Sequence, residues 1–309
     1  MKICFLGAGS LGSTIGGVLS ERCPDVCLID KWTEHVDAMN KSGLSIFEGG
    51  LERVVKIKAQ TDASNLDVMD LIIVLVKSFN TGEAVEAVKH LIGPDTLIMS
   101  MQNGLGNEEA IAAIVGKERV ISGKTYIGGG IAGPGKVNSA TKGKLTVIGE
   151  MDGRITGRIK TIAEEFNRCG LKTEISDNIV GMIWDKLLVN VSTAAITSIT
   201  RLTYGGLYQM KELMETALEA VGEGVAVAAA HGVKLDTEDP AEVWRRAYDG
   251  LPSDFKTSML LGLERGIKSE IDYINGAVVR YGEKANIPTP VNKTLVACIK
   301  GIERSMGLF

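Results

Sequence analysis

The sequence contains no basic block and no basic arm. Its 34 Lys+Arg and 38 Asp+Glu are dispersed over 309 residues and leave a formal net charge of −4. That balance argues against nucleic acid or an anionic membrane surface as a partner. A cysteine framework is missing too. Five cysteines (Cys4, Cys23, Cys27, Cys169, Cys298) form no CxxC and no disulfide pattern. Cys23 and Cys27 have a ligand-like spacing, but no second pair and no nearby His run supports a metal, so none is expected. Cys4 falls in an apolar strand pattern, which suits a buried thiol. No signal peptide precedes the first strand, and Gly or charge interrupts every apolar run before it could span a bilayer. The expected location is therefore the cytoplasm. There is no internal repeat and no low-complexity tract.

What is present is enough apolar residue, 45% of the chain, for a substantial core and two domains. The first part alternates short apolar runs (Lys2–Leu6, Val26–Asp30, Leu71–Val76, Thr96–Met101) with helical spacing (Leu11–Ser20, Thr33–Lys41, Gly82–Leu91). Continuous apolar strands joined by helical crossovers predict a parallel sheet covered on both faces. Lys124–Ile148 is Gly-rich and strand-like, as an antiparallel extension would be, and Ile155–Cys169 and Leu171–Ile175 close the region. After Ser176-Asp177-Asn178 only helices are predicted: Ile179–Ile199, Leu207–His231, Ala241–Tyr248, Lys256–Gly266, Ile271–Gly282 and Val291–Ser305. The fold class is α/β: an N-terminal Rossmann-type parallel-sheet domain over 1–177, then an all-helical C-terminal domain over 178–309.

Gly7-Ala8-Gly9-Ser10-Leu11-Gly12 is a GxGxxG that follows a strand and opens a helix. Gly7 allows the tight turn, Gly9 admits a pyrophosphate to the backbone, and Gly12 lets helix and strand pack closely. The helix N-terminus presents N–H groups to the phosphates, so the loop reads as a dinucleotide site. Asp30 ends the second strand, where an acid meets the ribose 2′-OH and disfavours a 2′-phosphate. Lys31 follows and could pair with such a phosphate. The pair leaves NADP(H) or NAD(H) open, with Asp30 tilting toward NADH.

Two further strands end at Lys77-Ser78-Phe79 and at Gln102-Asn103-Gly104-Leu105-Gly106, on the edge of a parallel sheet that lines the ligand crevice. Lys77 and Asn103 are thus candidates for the nicotinamide region. In the helical half, Lys186 and Asn190 lie four apart on one face among Ile183, Leu187, Leu188 and Val191. Hydride arriving at a ketone carbon builds negative charge on oxygen, which calls for a positive donor and a proton. Lys186 can supply both, and neutral Asn190 can hold the substrate. Ser269-Glu270-Ile271-Asp272 has the spacing of a capping box, with Ser269 as N-cap and Glu270 in the first turn. Ser258 lies near the start of another helix, where its hydroxyl could meet a carboxylate or simply cap.

Together, Gly7–Gly12, Val76-Lys77, Gln102-Asn103-Gly104-Leu105-Gly106, Trp184-Asp185-Lys186-Leu187 with Asn190, Thr257-Ser258-Met259-Leu260 and Glu270-Ile271-Asp272-Tyr273-Ile274-Asn275-Gly276 make the chain resemble the ketopantoate reductase (2-dehydropantoate 2-reductase) family over almost its full length. The resemblance implies that Lys186 is the general acid and that Glu270, Asn190 and Ser258 bind and orient the substrate. It also implies that Lys77 and Asn103 lie at the cofactor and active site. A small 2-oxo acid substrate, NADPH, a place in pantothenate and coenzyme A synthesis and a homodimer follow from it as expectations. Two departures stand out. Ala194 replaces an Asn common in the family one turn beyond Asn190, and Asp30-Lys31-Trp32 stands where NADPH-linked members tend to carry Arg. Asp30 looks like the NAD-linked relatives that reduce other 2-oxo acids to D-2-hydroxy acids, and with Ala194 it motivates an NAD-dependent D-2-hydroxyacid dehydrogenase as the alternative. A dinucleotide-sensing protein without turnover is the rival from another class; Lys186, Asn190 and Glu270 argue against it.

Overall fold

A computed structural model describes residues 1–308. The chain forms two compact units: Met1–Gln102 with Asn107–Ile179, and Asn103–Gly106 with Val180–Phe309.

The first unit runs β1 (Ile3–Leu6), α1 (Ser10–Ser20), β2 (Val26–Ile29), α2 (Thr33–Ser42), β3 (Leu44–Glu48), β4 (Leu51–Val55), β5 (Lys58–Gln60), β6 (Met69–Val74), α3 (Thr81–Glu86) and β7 (Ile92–Ser100). It continues through α4 (Asn107–Val115), β8 (Val120–Thr125), β9 (Gly128–Gly133), β10 (Lys136–Ala140), β11 (Thr146–Glu150), α5 (Gly157–Arg168) and β12 (Thr173–Ile175). Eight strands form one sheet in the order β12-β11-β8-β7-β6-β1-β2-β5. All its pairs are parallel except β11 with β8. Its central strands are apolar without alternation because helices cover both faces: Ile3, Cys4, Phe5 and Leu71–Val74 are fully buried. α5 shows the matching helical logic. Ile159, Ile162, Ala163 and Phe166 make its buried stripe, and the Thr156 side chain accepts a hydrogen bond from the Ile159 N–H at its start.

The second unit contains α6 (Ile179–Thr200), α7 (Tyr204–Leu207), α8 (Lys211–Ala230), α9 (Pro240–Tyr248), α10 (Ser258–Glu264), α11 (Asn275–Ala285) and α12 (Pro290–Ser305). Its core gathers Trp184, Leu187, Leu188 and Val191 of α6 with Ala220, Val221, Leu263, Val278 and Ile299.

Five features differ from the sequence expectation. The Gly-rich segment does not simply extend the main sheet. β9 and β10 join the hairpin β3–β4 in a separate sheet ordered β4-β3-β10-β9, and β10 pairs in parallel with β3 across some ninety residues of chain, a long-range pairing that leaves no local signature. Cys23 and Cys169 are joined in a disulfide with Cα atoms 6.2 Å apart and a sequence separation of 146, whereas Cys27 stays a separate buried thiol. Helix α6 is long and apolar enough to cross a membrane by length and composition. Asp185, Lys186 and Asn190 do not lower its mean hydropathy enough to prevent that, and its apolar face is packed in the helical core. The helix expected over Ile271–Gly282 is two pieces, a single 3₁₀ turn at Ile271–Tyr273 and then α11, because Ile274 takes φ −107° and ψ −100°. Finally, Asn103–Gly106 packs with the helical unit although it follows β7: Leu105 lies in the helical core and its N–H donates to the Tyr273 carbonyl at 2.9 Å.

Candidate active site

The glycine loop is built by contact. At Gly7, φ is +103° and a Cβ would sit 2.8 Å from the Val76 nitrogen, so only glycine allows the turn to lie against the end of β6. A Cβ on Gly12 would come within 1.9 Å of the Gly7 carbonyl oxygen, whereas one on Gly9 would meet nothing within 4 Å. α1 therefore begins directly on the loop, and the backbone at Gly9 is open to an approaching group. No side chain caps α1. The hydroxyls of Ser10 and Thr14 are buried without a protein partner among the described residues. They face β9 at Gly129, where a Cβ would lie 3.2 and 3.1 Å from them. Free N–H groups at a helix start and an unanswered hydroxyl fit a dinucleotide pyrophosphate.

Asp30 is tied to this loop. One carboxylate oxygen accepts the Ala8 N–H at 2.7 Å, and the other accepts the Trp32 N–H at 2.9 Å. Lys31 is turned to Glu83 of α3, with Nζ 2.6 Å from the carboxylate, and both side chains are exposed. That lysine holds the Glu83 carboxyl below its usual range. Sequence reasoning missed the support on the loop's other side. The Ser13 hydroxyl donates to the Ala8 carbonyl at 2.7 Å and lies 3.0 Å from His35 Nε2. Nothing in the local sequence links Ser13 to a histidine 22 residues away.

At the ends of β6 and β7, Lys77 is exposed and Asn103 half-buried. Gln102 lies under both ends. Its Nε2 donates at 2.8 Å to the Val76 carbonyl, one residue before Lys77, and at 2.8 Å to Thr81 Oγ1. Glu108, buried at the start of α4, accepts a hydrogen bond from Ser122 at 2.8 Å, and burial pushes its carboxyl upward.

In the helical unit, Lys186 and Asn190 are half-buried one turn apart on α6, beside the buried Leu187, Leu188 and Val191. Ala194, the next turn, is 4% exposed. Glu270 is half-buried immediately before the 3₁₀ turn. Ser269 Oγ accepts the Ile271 N–H at 3.2 Å, and the Ser269 N–H donates to Glu303 at 2.7 Å. The anticipated capping box is therefore replaced by a local turn anchored on α12, while Asp272 pairs with Lys300 at 2.7 Å. The same turn receives the Asn103–Gly106 segment: a Cβ on Gly104 would lie 2.4 Å from the Tyr273 carbonyl oxygen. This brings the Asn103 loop onto the Glu270 turn, two stretches that the sequence places about 170 residues apart. Ser258 is exposed and does not cap α10. Thr257 does, accepting the Leu260 N–H at 3.3 Å while bonding Thr197 at 2.9 Å.

The first unit carries a Gly-rich loop at the carboxyl edge of a parallel sheet and the second a half-buried Lys–Asn pair on a long helix, each a feature in keeping with a nicotinamide-dinucleotide oxidoreductase. The chain belongs to the ketopantoate reductase PanE/ApbA family: the family's N-terminal model matches residues 3–153 and its C-terminal model residues 178–303. It is an NAD(P)-dependent oxidoreductase of the 2-dehydropantoate 2-reductase type. The chain is 36% identical to a 2-dehydropantoate 2-reductase of Pyrococcus horikoshii over 99% of both chains. Its structure is similar to that of a PanE/ApbA family ketopantoate reductase from Ralstonia eutropha, with TM-score 0.91, 33% identity and 99% and 100% of the two chains covered. It is also similar to D-mandelate dehydrogenase in ternary complex with NADH and anilino(oxo)acetate, with TM-score 0.91, 28% identity and the same coverage.

Proposed function

We propose that the chain reduces 2-dehydropantoate to D-pantoate with NADH as the favoured cofactor. The half-buried Lys186–Asn190 pair carries the reading: an ammonium and a neutral amide held on one helical face amid apolar neighbours. The first unit contributes the cofactor residues Gly7–Gly12, Asp30 and Lys77, and the second contributes Asn103 on the Asn103–Gly106 loop. When bound, reduced nicotinamide supplies the hydride to the carbonyl carbon. Lys186 stabilises the growing negative charge on the carbonyl oxygen and delivers the proton that completes the alcohol. Asn190 and Ser258 donate to the substrate's polar groups, and Glu270 accepts from a substrate hydroxyl. The preference for NADH rests on Asp30 and Glu83. A 2′-phosphate would meet the Asp30 carboxylate, and Lys31, the cation that could answer it, is already paired to Glu83.

The test is 2-dehydropantoate reduction measured separately with NADH and NADPH, in the wild type and Lys186→Ala. The variant is expected to lose about 10²–10⁴ in kcat while its NADH affinity holds, the scale of a lost general acid. Reduction at the normal rate by the variant would remove Lys186 from the role.

A second reading, an NAD-dependent D-2-hydroxyacid dehydrogenase for another 2-oxo acid, is favoured by Ala194, which forgoes one polar contact to substrate. Higher kcat/KM for phenylpyruvate or 2-ketoisovalerate than for 2-dehydropantoate would select it.

A further inference from the structure

His35, on α2, is fully buried and lies outside the residues assigned above to cofactor and substrate. Its Nδ1 accepts the Gly135 N–H at 2.9 Å. A backbone N–H can only donate, so Nδ1 carries no proton and the neutral ring holds its hydrogen on Nε2. That hydrogen points to Ser13 Oγ at 3.0 Å, and the Ser13 hydroxyl, its lone pair occupied, donates to the Ala8 carbonyl at 2.7 Å. The result is a one-directional chain from the β9–β10 turn through imidazole and hydroxyl to the middle residue of Gly7-Ala8-Gly9. Asp30 holds the N–H of that same residue, so the Ala8 peptide groups are gripped on both sides. The turn is itself fixed: Gly135 has φ +68°, and a Cβ there would lie 2.8 Å from Ala38 of α2.

We propose that His35 is a positioning residue for the dinucleotide loop, and that protonating it releases the loop and weakens cofactor binding. An imidazolium would turn an N–H toward the Gly135 N–H, donor against donor, and the buried Nδ1–H would have no acceptor. The surroundings do little to welcome the charge. α1 presents the neutral Ser13 and the β9–β10 turn a backbone amide, while Trp32 stacks on the ring at 4.8 Å and 6°. Of the charged groups nearby, Glu34 and Lys136 are exposed beside the chain neighbours of the site, and the Asp30 carboxylate, together with a hydrogen bond to the Ala8 backbone, favours the cation. Burial outweighs both and lowers the His35 pKa below its ordinary 6.5. The sign follows: the neutral ring and the ordered loop persist above pH 6.5, and binding falls as the pH drops through the lowered value. The unfolded chain takes up its proton first, so the stability contribution is also complete above 6.5 and is lost as the pH falls from there.

The inference rests on the assignment of the glycine loop to the dinucleotide and adds what sets its shape. The test is the Kd for NADH from pH 5 to 8 in wild type, Ser13→Ala and His35→Gln. Gln supplies an acceptor and a donor without titrating. Wild-type Kd is expected to rise as the pH falls through the lowered His35 value, under 6.5, by up to about tenfold per pH unit for a single proton. His35→Gln should flatten that rise. Ser13→Ala should weaken binding about tenfold at pH 7.5, the scale of one lost buried hydrogen bond. A wild-type Kd that stays level from pH 8 to 5, or a rise retained in His35→Gln, overturns the proposal, and the level wild-type profile decides even if the Gln variant fails to fold. A wild type that binds no NADH at any pH overturns the cofactor assignment itself.

Discussion

A Cβ on Gly12 would strike backbone at 1.9 Å, and one on Gly9 would enter open space. The two glycines therefore answer different demands, and alanine separates them. Gly12→Ala must push α1 off the loop. Overpacking costs about 1–3 kcal/mol, at the upper end here because the struck atom belongs to a peptide group, so both Tm and NADH binding should fall. Gly9→Ala keeps an allowed backbone, φ −63°, and should leave Tm unchanged while NADH binding weakens. Calorimetry beside an NADH titration distinguishes the pair, and a normal NADH affinity in Gly9→Ala would contradict the approach of the phosphates there. The cysteines sort by burial in the same way. Desolvation drives the Cys4 thiol upward and raises Cys27 to about 11, so both are packing groups at neutral pH. The spacing of the three glycines was legible in six consecutive residues, though the contact of Gly7 with Val76 was not. The hold of Asp30 on Ala8 was not: the acid was read for its charge toward ribose, and its hydrogen bonds depend on how the loop folds back over β2.

Among the elements, α12 shows how a distant helix sets the Glu270 turn. Pro290 opens α12, and its N-cap residue Thr289 makes no side-chain cap. Glu223 of α8 accepts the Val291 N–H at 2.8 Å and the Asn292 N–H at 3.0 Å in its place. Asn292 then donates to Glu223 at 2.7 Å and accepts from Asn275, the first residue of α11, at 2.9 Å. Because α11 starts where the Glu270 turn ends, this network fixes that turn. Glu223→Ala uncaps α12 and leaves the Asn292 side-chain amide only the Ala220 carbonyl as acceptor; a loss of about 1–3 kcal/mol is expected in urea unfolding. An unchanged unfolding midpoint would show that the network contributes nothing. The sequence reading starts this helix at Val291, one residue past Pro290, but its cap lies 67 residues upstream of that proline and no periodicity points to it.

Over the whole first unit, the Cys23–Cys169 bridge ties the residues after α1 to the end of α5 across a separation of 146. Closing so long a loop restricts the unfolded chain, and bridges of this kind contribute about 2–4 kcal/mol. Thiol reductant, or Cys23→Ser, is therefore expected to lower Tm by about 5–15 °C, with the variant indifferent to reductant. Equal Tm with and without reductant in the wild type would show that the bridge does not hold the fold. Such a bond contrasts with the cytoplasmic expectation, since reducing compartments rarely retain disulfides. The cysteine count could not reveal it, because pairing is decided by which helix ends meet.

The sequence by itself determined the alternation of strand and helix, the Gly7–Gly12 loop and the Lys186–Asn190 face, because each is a short-range pattern: a turn that only glycine can make, or one repeat of a helix. Tertiary structure alone decided the second sheet, the helical packing of Asn103–Gly106, the Cys23–Cys169 bond and the path from Gly135 through His35 to Ala8. Each of these joins residues tens to more than a hundred positions apart. Such partners are chosen by burying apolar area and satisfying buried polar groups across the folded chain, and neither condition exists until the chain has folded.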